Sequence, residues 1–495
     1  MSAATQYLYV AQPRRAPTVW YAIASGNRAG QSSFSLRRRL GLVAGWAVFI
    51  GAANCFCLGY PTLTERVLAS TILACCALPS WLWLTRFDNS APLMPFWAIV
   101  FGTWYGLPFF LLRHFRLHVL GPSIPPSFLE HALWMSLLGL AAVYAGYYGP
   151  HRHLLEAVVP KFEFEWPRLS MVKASGISFA SIGLALYVVN MRLHLPDAIS
   201  MIALYLGELS VIGVCILFML DLSGLLDNVT RILLWTILMP GRILIGFVTG
   251  ATAQGMLVGL TLASLLAISR RAMPWKLIAA GLVVLFIVRP VEIPYRILTR
   301  NHGRLERAPI TKKVKTFLGL LVTEVTAGKA SYQFALEISA SRIALTPAFA
   351  DVLRETPDLV PYWNGGSLYP LLFKPVPRFL YSQKPREVSG QTFAHRYGLL
   401  SLNDRETSYN LPQLVEMFAN FGIAGIVLGM FFLGTFYRIA VSMFFHPRMG
   451  FGALIAGAYI VGHSLNIASG TSGAFGGLIW DMVFIAAINL VVTSL

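Results

Sequence analysis

Apolar segments of about 20 residues recur along the whole chain and are separated by short polar stretches. A segment of that length crosses a hydrocarbon core of about 30 Å as an α-helix. Backbone groups in lipid must be hydrogen-bonded within the segment, which excludes irregular structure. The pattern therefore predicts an all-α polytopic membrane protein with about 12 transmembrane helices and one large, partly helical external loop. The predicted spans are residues 40–59, 67–85, 92–112, 128–148, 170–190, 197–219, 229–247, 251–268, 274–290, 415–436, 450–468 and 473–493.

The stretch 229–268 is the least regular, because Pro240, Gly241 and Arg242 interrupt it. It fits either two spans or a single bent or re-entrant element. Ionisable residues inside spans are costly and are functional candidates by default. Glu208, Asp481 and His463 are such residues, and each also fits a role as a hydrogen-bond partner between helices.

Composition and charge agree with a membrane protein and narrow its partners. The chain is 56% hydrophobic and 12% charged, whereas soluble domains carry about 25% charged residues. Its net charge of +17 favours membrane lipids or an anionic lipid-linked ligand over nucleic acid. The five cysteines lie in predicted spans without metal-type spacing, so we predict neither a metal site nor a disulfide framework. No nucleotide-binding or serine-hydrolase motif stands in a credible context, and no cofactor is predicted.

Basic residues predict the orientation, because short cytoplasmic loops are enriched in Lys and Arg. Arg37, Arg38 and Arg39 precede the first span, and Arg270 and Arg271 lie between the eighth and ninth. An even number of spans then places both termini in the cytoplasm. The predicted division is an N-terminal tail over 1–39, a bundle of nine spans over 40–290, a large external loop over 291–412 and three spans over 413–495.

The predicted external loop is basic but not disordered in composition. Between residues 289 and 412 there are 17 Lys and Arg against 10 Asp and Glu. Apolar positions at 317–322 predict an interfacial helix. Residues 330–354 read as one amphipathic helix that ends near Pro357. Residues 362–377 are rich in Gly, Pro and aromatic side chains, which is typical of a structured loop that lines a site.

Candidate chemistry is concentrated late in this loop. Gly365-Gly366 is followed by Pro377-Arg378 and by Lys384-Pro385-Arg386. Proline restricts the chain beside Arg378 and Lys384. An arginine fork binds pairs of oxygen atoms and a lysine acts as a point charge, so together they can hold a diphosphate. The alternative is that these cations meet only headgroups or solvent. Further on, Glu416 precedes Asn420-Phe421-Gly422 at the start of the next span.

These elements resemble those of the Wzy-type O-antigen and exopolysaccharide repeat-unit polymerases. Members of that family have about a dozen spans, a large late periplasmic loop with a Gly-rich turn and a P-R…K-P element, and a Glu before N-F-G. The matching residues are Gly365, Gly366, Pro377, Arg378, Lys384, Pro385, Glu416, Asn420, Phe421 and Gly422. The resemblance implies a polyprenyl-diphosphate-dependent glycosyltransferase of the bacterial inner membrane. It would join undecaprenyl-diphosphate-linked oligosaccharide repeat units, with a chain-length regulator protein as a possible further partner.

The resemblance also implies roles for individual residues. Arg378, Lys384 and Arg386 would bind the diphosphate or glycan, supported by Arg242 and Arg354. Glu416 is the preferred catalytic base because it lies at the junction of loop and membrane, and His395 is the second candidate. Arg242 and Glu416 also have simpler interpretations. The Arg242 side chain can extend to lipid headgroups, and the Glu416 carboxylate, at a helix N-terminus, is favoured by the helix dipole.

Two other functions stay open at the level of sequence. An O-antigen ligase shares the layout and donor but transfers the glycan to another lipid, and His302 and His395 keep this alternative open. A flippase or transporter of lipid-linked oligosaccharides is the more distant alternative. Transporters tend to have repeated halves and short loops, whereas this chain has one long loop and no internal repeat.

Overall fold

The computed structural model describes most of the chain after residue 35. The described residues are 36–56, 62–85, 91–111, 124–164, 168–193, 197–248, 252–270, 274–299, 305, 308–328, 331–333, 335–337, 343–376, 381, 383–384, 389–404, 409–446, 450–476 and 478–494. The tail that was predicted over 1–39 therefore lies almost wholly outside them, as do Arg378, Arg386 and His302.

The described residues form helices joined by turns and irregular segments, and none of them forms a strand. We number the helices in chain order. They are α1 Leu36–Phe56, α2 Leu63–Leu84, α3 Leu93–Tyr105, α4 Leu107–Leu111, α5 Pro126–Tyr148, α6 Arg152–Val158, α7 Leu169–Leu193, α8 Asp197–Gly207, α9 Leu209–Leu222, α10 Asn228–Leu233, α11 Met239–Val248, α12 Thr252–Arg270, α13 Trp275–Thr299, α14 Ile310–Ala327, α15 Leu345–Glu355, α16 Tyr369–Leu372, α17 Ser389–Arg396, α18 Gln413–Phe444, α19 Phe451–Ser464, α20 Thr471–Phe475 and α21 Leu478–Ser494.

The chain is an all-α membrane protein, as its hydrophobic pattern predicts. Within the described ranges, seven helical segments are long and apolar enough to cross a membrane, judged by length and composition. Four shorter apolar helices add to them. The seven are Leu63–Leu84, Leu93–Phe110, Pro126–Tyr148, Leu169–Asn190, Ile202–Leu222, Asn228–Val248 and Gln413–Phe444, and the four are Val43–Cys55, Val258–Ile268, Gly452–Ser464 and Met482–Ser494. A total of twelve spans stays a prediction, as do the orientation and the identity of the membrane.

The irregular stretch near Arg242 forms two helical segments. Asn228–Val248 runs through a π-helical turn, Leu234–Leu238, directly before Pro240. Proline lacks an N–H and its ring clashes with the carbonyl one turn earlier, so a wider π turn accommodates it without ending the helix. Helix α12 then starts at Thr252.

Helix α13 extends past the predicted end of the ninth span at residue 290, through Pro290 to Thr299. Its C-terminal part carries Glu292, which is paired with Arg289 and Arg296 on the same helix. These neighbouring opposite charges offset one another at positions three and four residues apart. The boundary between bundle and loop therefore falls inside a continuous helix.

Two helices predicted in the long loop, residues 291–412, are present with different bounds. Helix α14 covers the predicted interfacial segment and runs antiparallel to α13, with the Phe317 and Tyr295 rings 5.2 Å apart. The prediction of a single helix over 330–354 was wrong in its continuity. Residues 331–333, 335–337 and 343 are helical, Ala344 is not, and α15 begins at Leu345. Pro347 lies in the first turn of α15, where its missing N–H breaks no helical hydrogen bond.

The long loop is packed into the bundle rather than standing apart from it. Every residue from Leu345 to Leu353 of α15 is buried. The Thr346 hydroxyl donates a hydrogen bond of 2.7 Å to the carbonyl of Tyr105, where α3 ends. The loop is thereby held against the helices that precede it by more than 200 residues.

Helices α5 and α18 cross at backbone contact, which glycine makes possible. A Cβ atom added to Gly146 would lie 2.0 Å from the carbonyl oxygen of Phe431, and one added to Gly434 would lie 2.1 Å from that of Val143. The two glycines therefore let each helix approach the backbone of the other, as small residues do in membrane helix pairs.

We expect Gly434→Val to destabilise the protein by about 3 kcal/mol or more, because backbone atoms on α5 cannot shift cheaply to relieve the overlap. Gly281→Val in α13 is the matched control, since nothing lies within 4 Å of a Cβ built there. Thermal unfolding of the purified variants in detergent measures the difference. Equal midpoints for the two variants would contradict the close crossing.

Candidate functional site

A break in α18 shapes the junction between the long loop and the bundle. Gly422 has φ 64° and ψ −146°, which interrupts the helix. That backbone conformation is essentially restricted to glycine, and a Cβ there would also lie 2.8 Å from the hydroxyl of Tyr362. The Asn-Phe-Gly motif, expected to lead into a span, therefore bends the helix it belongs to.

The break leaves helix carbonyls available to the loop. In an unbroken helix, the carbonyls of Ala419 and Asn420 would accept hydrogen bonds from residues four positions later. Here they accept from Trp363 N at 2.9 Å and from Asn364 N at 3.2 Å. We call residues 363–368 the glycine turn, because Gly365 lies at its centre with φ 85°.

Asn420 holds the glycine turn with its side chain. Its Oδ1 atom accepts a hydrogen bond of 2.8 Å from Gly365 N, and its Nδ2 atom donates one of 2.8 Å to the hydroxyl of Ser367. The same Nδ2 atom also donates to the carbonyl of Glu416, at 2.8 Å. Two motifs that are 55 residues apart in the sequence are thus in direct contact.

Glu416 lies one turn before Asn420 and its side chain is fully buried. Its Oε2 atom accepts a hydrogen bond of 2.6 Å from Thr471 N, at the first residue of α20. An anionic acceptor is favoured at a helix N-terminus. Glu416 therefore fastens the turn between α19 and α20 to α18, and this structural role stands beside its predicted role as a base.

Lys384 has intramolecular partners. Its Nζ atom donates hydrogen bonds to the carbonyl of Val376 at 2.8 Å and to that of Lys374 at 3.3 Å. The Lys374 carbonyl also accepts from the Trp480 indole at 3.1 Å, which ties this part of the loop to α21. Lys384 thus fixes the segment that leads to Arg378, whereas Arg378 and Arg386 lie outside the described residues and their predicted contacts stay predictions.

His395 and Arg354 are held by their own surroundings. The His395 Nε2 atom lies 2.8 Å from the carbonyl of Asp404, so this ring nitrogen carries the proton. Arg354 pairs with Asp351 at 2.5 Å and with Glu355 at 3.0 Å, both on α15. Burial raises the pKa of Asp351, and the charge of Arg354 opposes that shift. The described partners of Arg354 are therefore acids of its own helix, and its predicted contact with the diphosphate or glycan stays a prediction.

Arg396 joins the junction although the sequence did not single it out. Its Nη2 atom donates a hydrogen bond of 2.6 Å to the carbonyl of Pro361, and its guanidinium lies 5.1 Å from the centre of the Trp363 ring. A planar guanidinium over an indole is a stable cation–π arrangement. Its charge next to His395 was the only signal in the sequence.

A second group of polar side chains lies within the bundle and includes Arg242. The Arg242 side chain is wholly enclosed, and its Nη2 atom lies 3.3 Å from Oε1 of Glu208. The Tyr187 hydroxyl donates to the same Oε1 atom at 2.6 Å. The interpretation of Arg242 as a side chain that extends to lipid headgroups is therefore wrong. Sequence reasoning missed Tyr187, which carries no periodicity or motif signal.

The described residues contain no group of three or more His, Cys, Asp or Glu side chains close enough to hold a metal ion. The candidate chemistry in this part of the chain thus consists of carboxylates, guanidinium and ammonium groups, imidazoles and phenols.

No protein-family model, curated protein or solved structure matches the chain significantly.

Proposed function

We propose that the protein is a polymerase of lipid-linked oligosaccharide repeat units, acting at the outer face of a bacterial inner membrane. The donor would be a growing glycan on undecaprenyl diphosphate and the acceptor a single lipid-linked repeat unit. No cofactor takes part in this proposal. The other proposed partners are membrane lipids and a protein of the same pathway that regulates chain length.

The observation that carries the proposal is the contact between the glycine turn and Asn420. The two halves of the motif that resembles the Wzy-type family are far apart in the sequence, yet the hydrogen bonds from Gly365 and to Ser367 join them. Glu416 stands one helical turn away. A bound pair of substrates needs such a preorganised junction, because groups on rigid elements are positioned more reproducibly than groups at loop tips.

The proposed reaction is a glycosyl transfer. An acceptor hydroxyl oxygen bonds to the anomeric carbon of the donor, and the bond from that carbon to the diphosphate oxygen breaks. Undecaprenyl diphosphate leaves with the electron pair, and the hydroxyl proton passes to a base. Cationic side chains stabilise the negative charge that develops on the leaving diphosphate.

In the proposed assignment, Glu416 or His395 accepts the proton, and Arg378, Lys384 and Arg386 face the diphosphate. Lys384 contributes by its position as well, since it holds the carbonyls of Lys374 and Val376. The ligase alternative uses the same donor, and nothing in the described contacts of His395 favours it.

Deleting the encoding gene in its own strain tests the proposal. We expect loss of polymer while single repeat units remain on the lipid acceptor, read from glycan chain-length profiles. Intact lipid-linked polymer that is no longer transferred would identify a ligase. Accumulation of lipid-linked repeat units on the cytoplasmic side would identify a transporter, and a normal profile would contradict all three.

The proposed site requires the long loop to be external. We expect a cysteine placed at Asn403, whose side chain is exposed, to react with a membrane-impermeant thiol reagent in intact cells when the native cysteines are removed. A cysteine in the N-terminal tail should react only after the membrane is opened. The reverse pattern would place the loop on the cytoplasmic side.

Arg378→Ala should reduce the turnover of lipid-linked repeat units, measured with purified protein in liposomes, about a hundredfold. Removing a charge that meets a developing diphosphate costs on the order of 3 kcal/mol. Arg378→Lys should restore only part of the turnover, because the planar fork is lost. Lys312→Ala changes an exposed cation of the same loop and serves as the control. Wild-type polymer from Arg378→Ala, at equal protein level in the membrane, would remove this residue from the site.

A further inference from the structure

Four helical segments bring polar side chains together inside the bundle, away from the loop junction. Tyr187 comes from α7, Glu208 from the break between α8 and α9, Arg242 from α11 and His463 from α19. We call these four residues the polar cluster. Helices α9 and α19 are in contact, and His463 is close enough to Glu208 for the two to interact electrostatically.

The hydrogen bonds within the polar cluster converge on one oxygen atom. Glu208 Oε1 accepts from the Tyr187 hydroxyl at 2.6 Å and from Arg242 Nη2 at 3.3 Å. The Arg242 guanidinium also lies 4.9 Å from the centre of the Tyr187 ring. Gly207 permits this arrangement, because a Cβ atom there would lie 2.7 Å from the Tyr187 ring.

Several polar atoms of the cluster have no hydrogen-bond partner among the described residues. They are Arg242 Nε, Arg242 Nη1, Glu208 Oε2 and His463 Nε2, and all four atoms are buried. Buried polar atoms in folded proteins are nearly always satisfied, so an unsatisfied group calls for an explanation. The open atoms include donors of Arg242 and an acceptor of Glu208, and a single group that both donates and accepts matches both kinds.

The charges of the cluster argue against a phosphate as that ligand. Arg242 is balanced by Glu208, so this pair carries no net positive charge to attract an anion. A phosphate next to Glu208 Oε2 would also place like charges together, which raises the cost of burying them. A hydroxyl group matches instead, because it donates one hydrogen bond and accepts two.

Glu208 is the more exposed member of the pair that it forms with Arg242. The Glu208 side chain is 21% exposed whereas that of Arg242 is 0% exposed. We therefore place the ligand on the Glu208 side of the pair.

We propose that the polar cluster is a binding site for a neutral hydroxyl-bearing group, namely a sugar ring of the lipid-linked saccharide, and that Arg242 serves this site rather than the diphosphate. The inference rests on the proposed function for its source of saccharide. Glu208 accepts from a sugar hydroxyl, and Arg242 and His463 complete its remaining hydrogen bonds.

Binding of two probes to purified protein tests the inference. The first probe is the free repeat-unit oligosaccharide, released from its lipid by mild acid, and the second is inorganic pyrophosphate. Glu208→Gln keeps an acceptor for Tyr187 and Arg242, and His463→Phe keeps a ring against Tyr459, whose ring centre lies 4.6 Å away. Calorimetry should show about a tenfold or larger loss of oligosaccharide affinity in both, since each substitution leaves a buried hydrogen bond of the sugar weakened or unmade, with unchanged pyrophosphate affinity.

Asp221→Asn is the matched control. Asp221 lies on α9, the helix that begins directly after Glu208, but it pairs with Arg231 at 2.5 Å, outside the cluster. It should bind both probes as the wild type does. Unchanged oligosaccharide affinity in both cluster variants would overturn the inference, and so would a selective loss of pyrophosphate affinity.

Turnover of lipid-linked repeat units by the wild type in liposomes separates this inference from the proposed function. If the wild type forms polymer and Glu208→Gln binds the oligosaccharide as the wild type does, the proposed function is supported and the proposed sugar site is contradicted. Oligosaccharide binding that depends on Glu208, without polymer, supports the site and removes the polymerase. A wild-type protein that neither binds nor polymerises contradicts both.

Discussion

Replacing Glu416 by glutamine should lower polymerisation about a hundredfold or more if this carboxylate accepts the proton of the acceptor hydroxyl. The substitution tests basicity with little disturbance, because the amide oxygen of glutamine can still accept the hydrogen bond from Thr471 N. If Glu416 only fastens α20 to α18, glutamine should be nearly as good, since loss of a charge–dipole interaction at a helix N-terminus costs at most about 2 kcal/mol even when partly buried.

The measurement is turnover of lipid-linked repeat units by purified protein in liposomes, with thermal unfolding in detergent as the check on folding. Glu337→Gln, at an exposed acid in the long loop, is the control and should behave as the wild type. A Glu416→Gln variant that polymerises within a fewfold of the wild type would place the base elsewhere. His395 would be the next residue to change.

Asn420→Ala should produce the second large loss, because it removes three hydrogen bonds made by one buried side chain. The lost partners are Gly365 N, the Ser367 hydroxyl and the Glu416 carbonyl. Two of these bonds hold the glycine turn. At about 1 kcal/mol for each of them, release of the turn would be favoured by about 2 kcal/mol, so we expect activity to fall about thirtyfold.

Ser367→Ala provides a graded comparison, because it removes only one of these hydrogen bonds. We expect it to lower activity about fivefold. Limited proteolysis of the long loop measures release of the turn independently of activity. If Asn420→Ala leaves both the proteolytic pattern and the turnover unchanged, the contact between the two motifs is not required.

The role of Lys384 illustrates how one residue type in one place supports two interpretations. The sequence predicts a cation near a diphosphate, because proline follows it and Arg378 precedes it by six positions. The structure gives its Nζ atom two backbone carbonyls within the loop. These contacts give Lys384 a role in holding the loop, and its contact with a diphosphate stays a prediction.

Local pattern was sufficient for the fold class and for most helical segments. The apolar runs reappear as helices with bounds close to those expected, because a helix in lipid is decided by the length and polarity of its own segment. The same reasoning failed at the end of α13, where charges three and four residues apart neutralise one another. It failed again at Ala344, where tertiary packing of α15 overrides a continuous amphipathic pattern.

The sequence by itself determined which chemical groups are present and that most of them lie late in the chain or within apolar segments. Only the tertiary structure decided which of them meet. Gly365 reaches Asn420 across 55 residues, and Arg242 is enclosed beside Glu208 across 34 residues. Such contacts depend on how helices cross and on where one of them breaks, as α18 does at Gly422. Hydropathy is a property of each segment alone and carries no information about the neighbours that the segment will have.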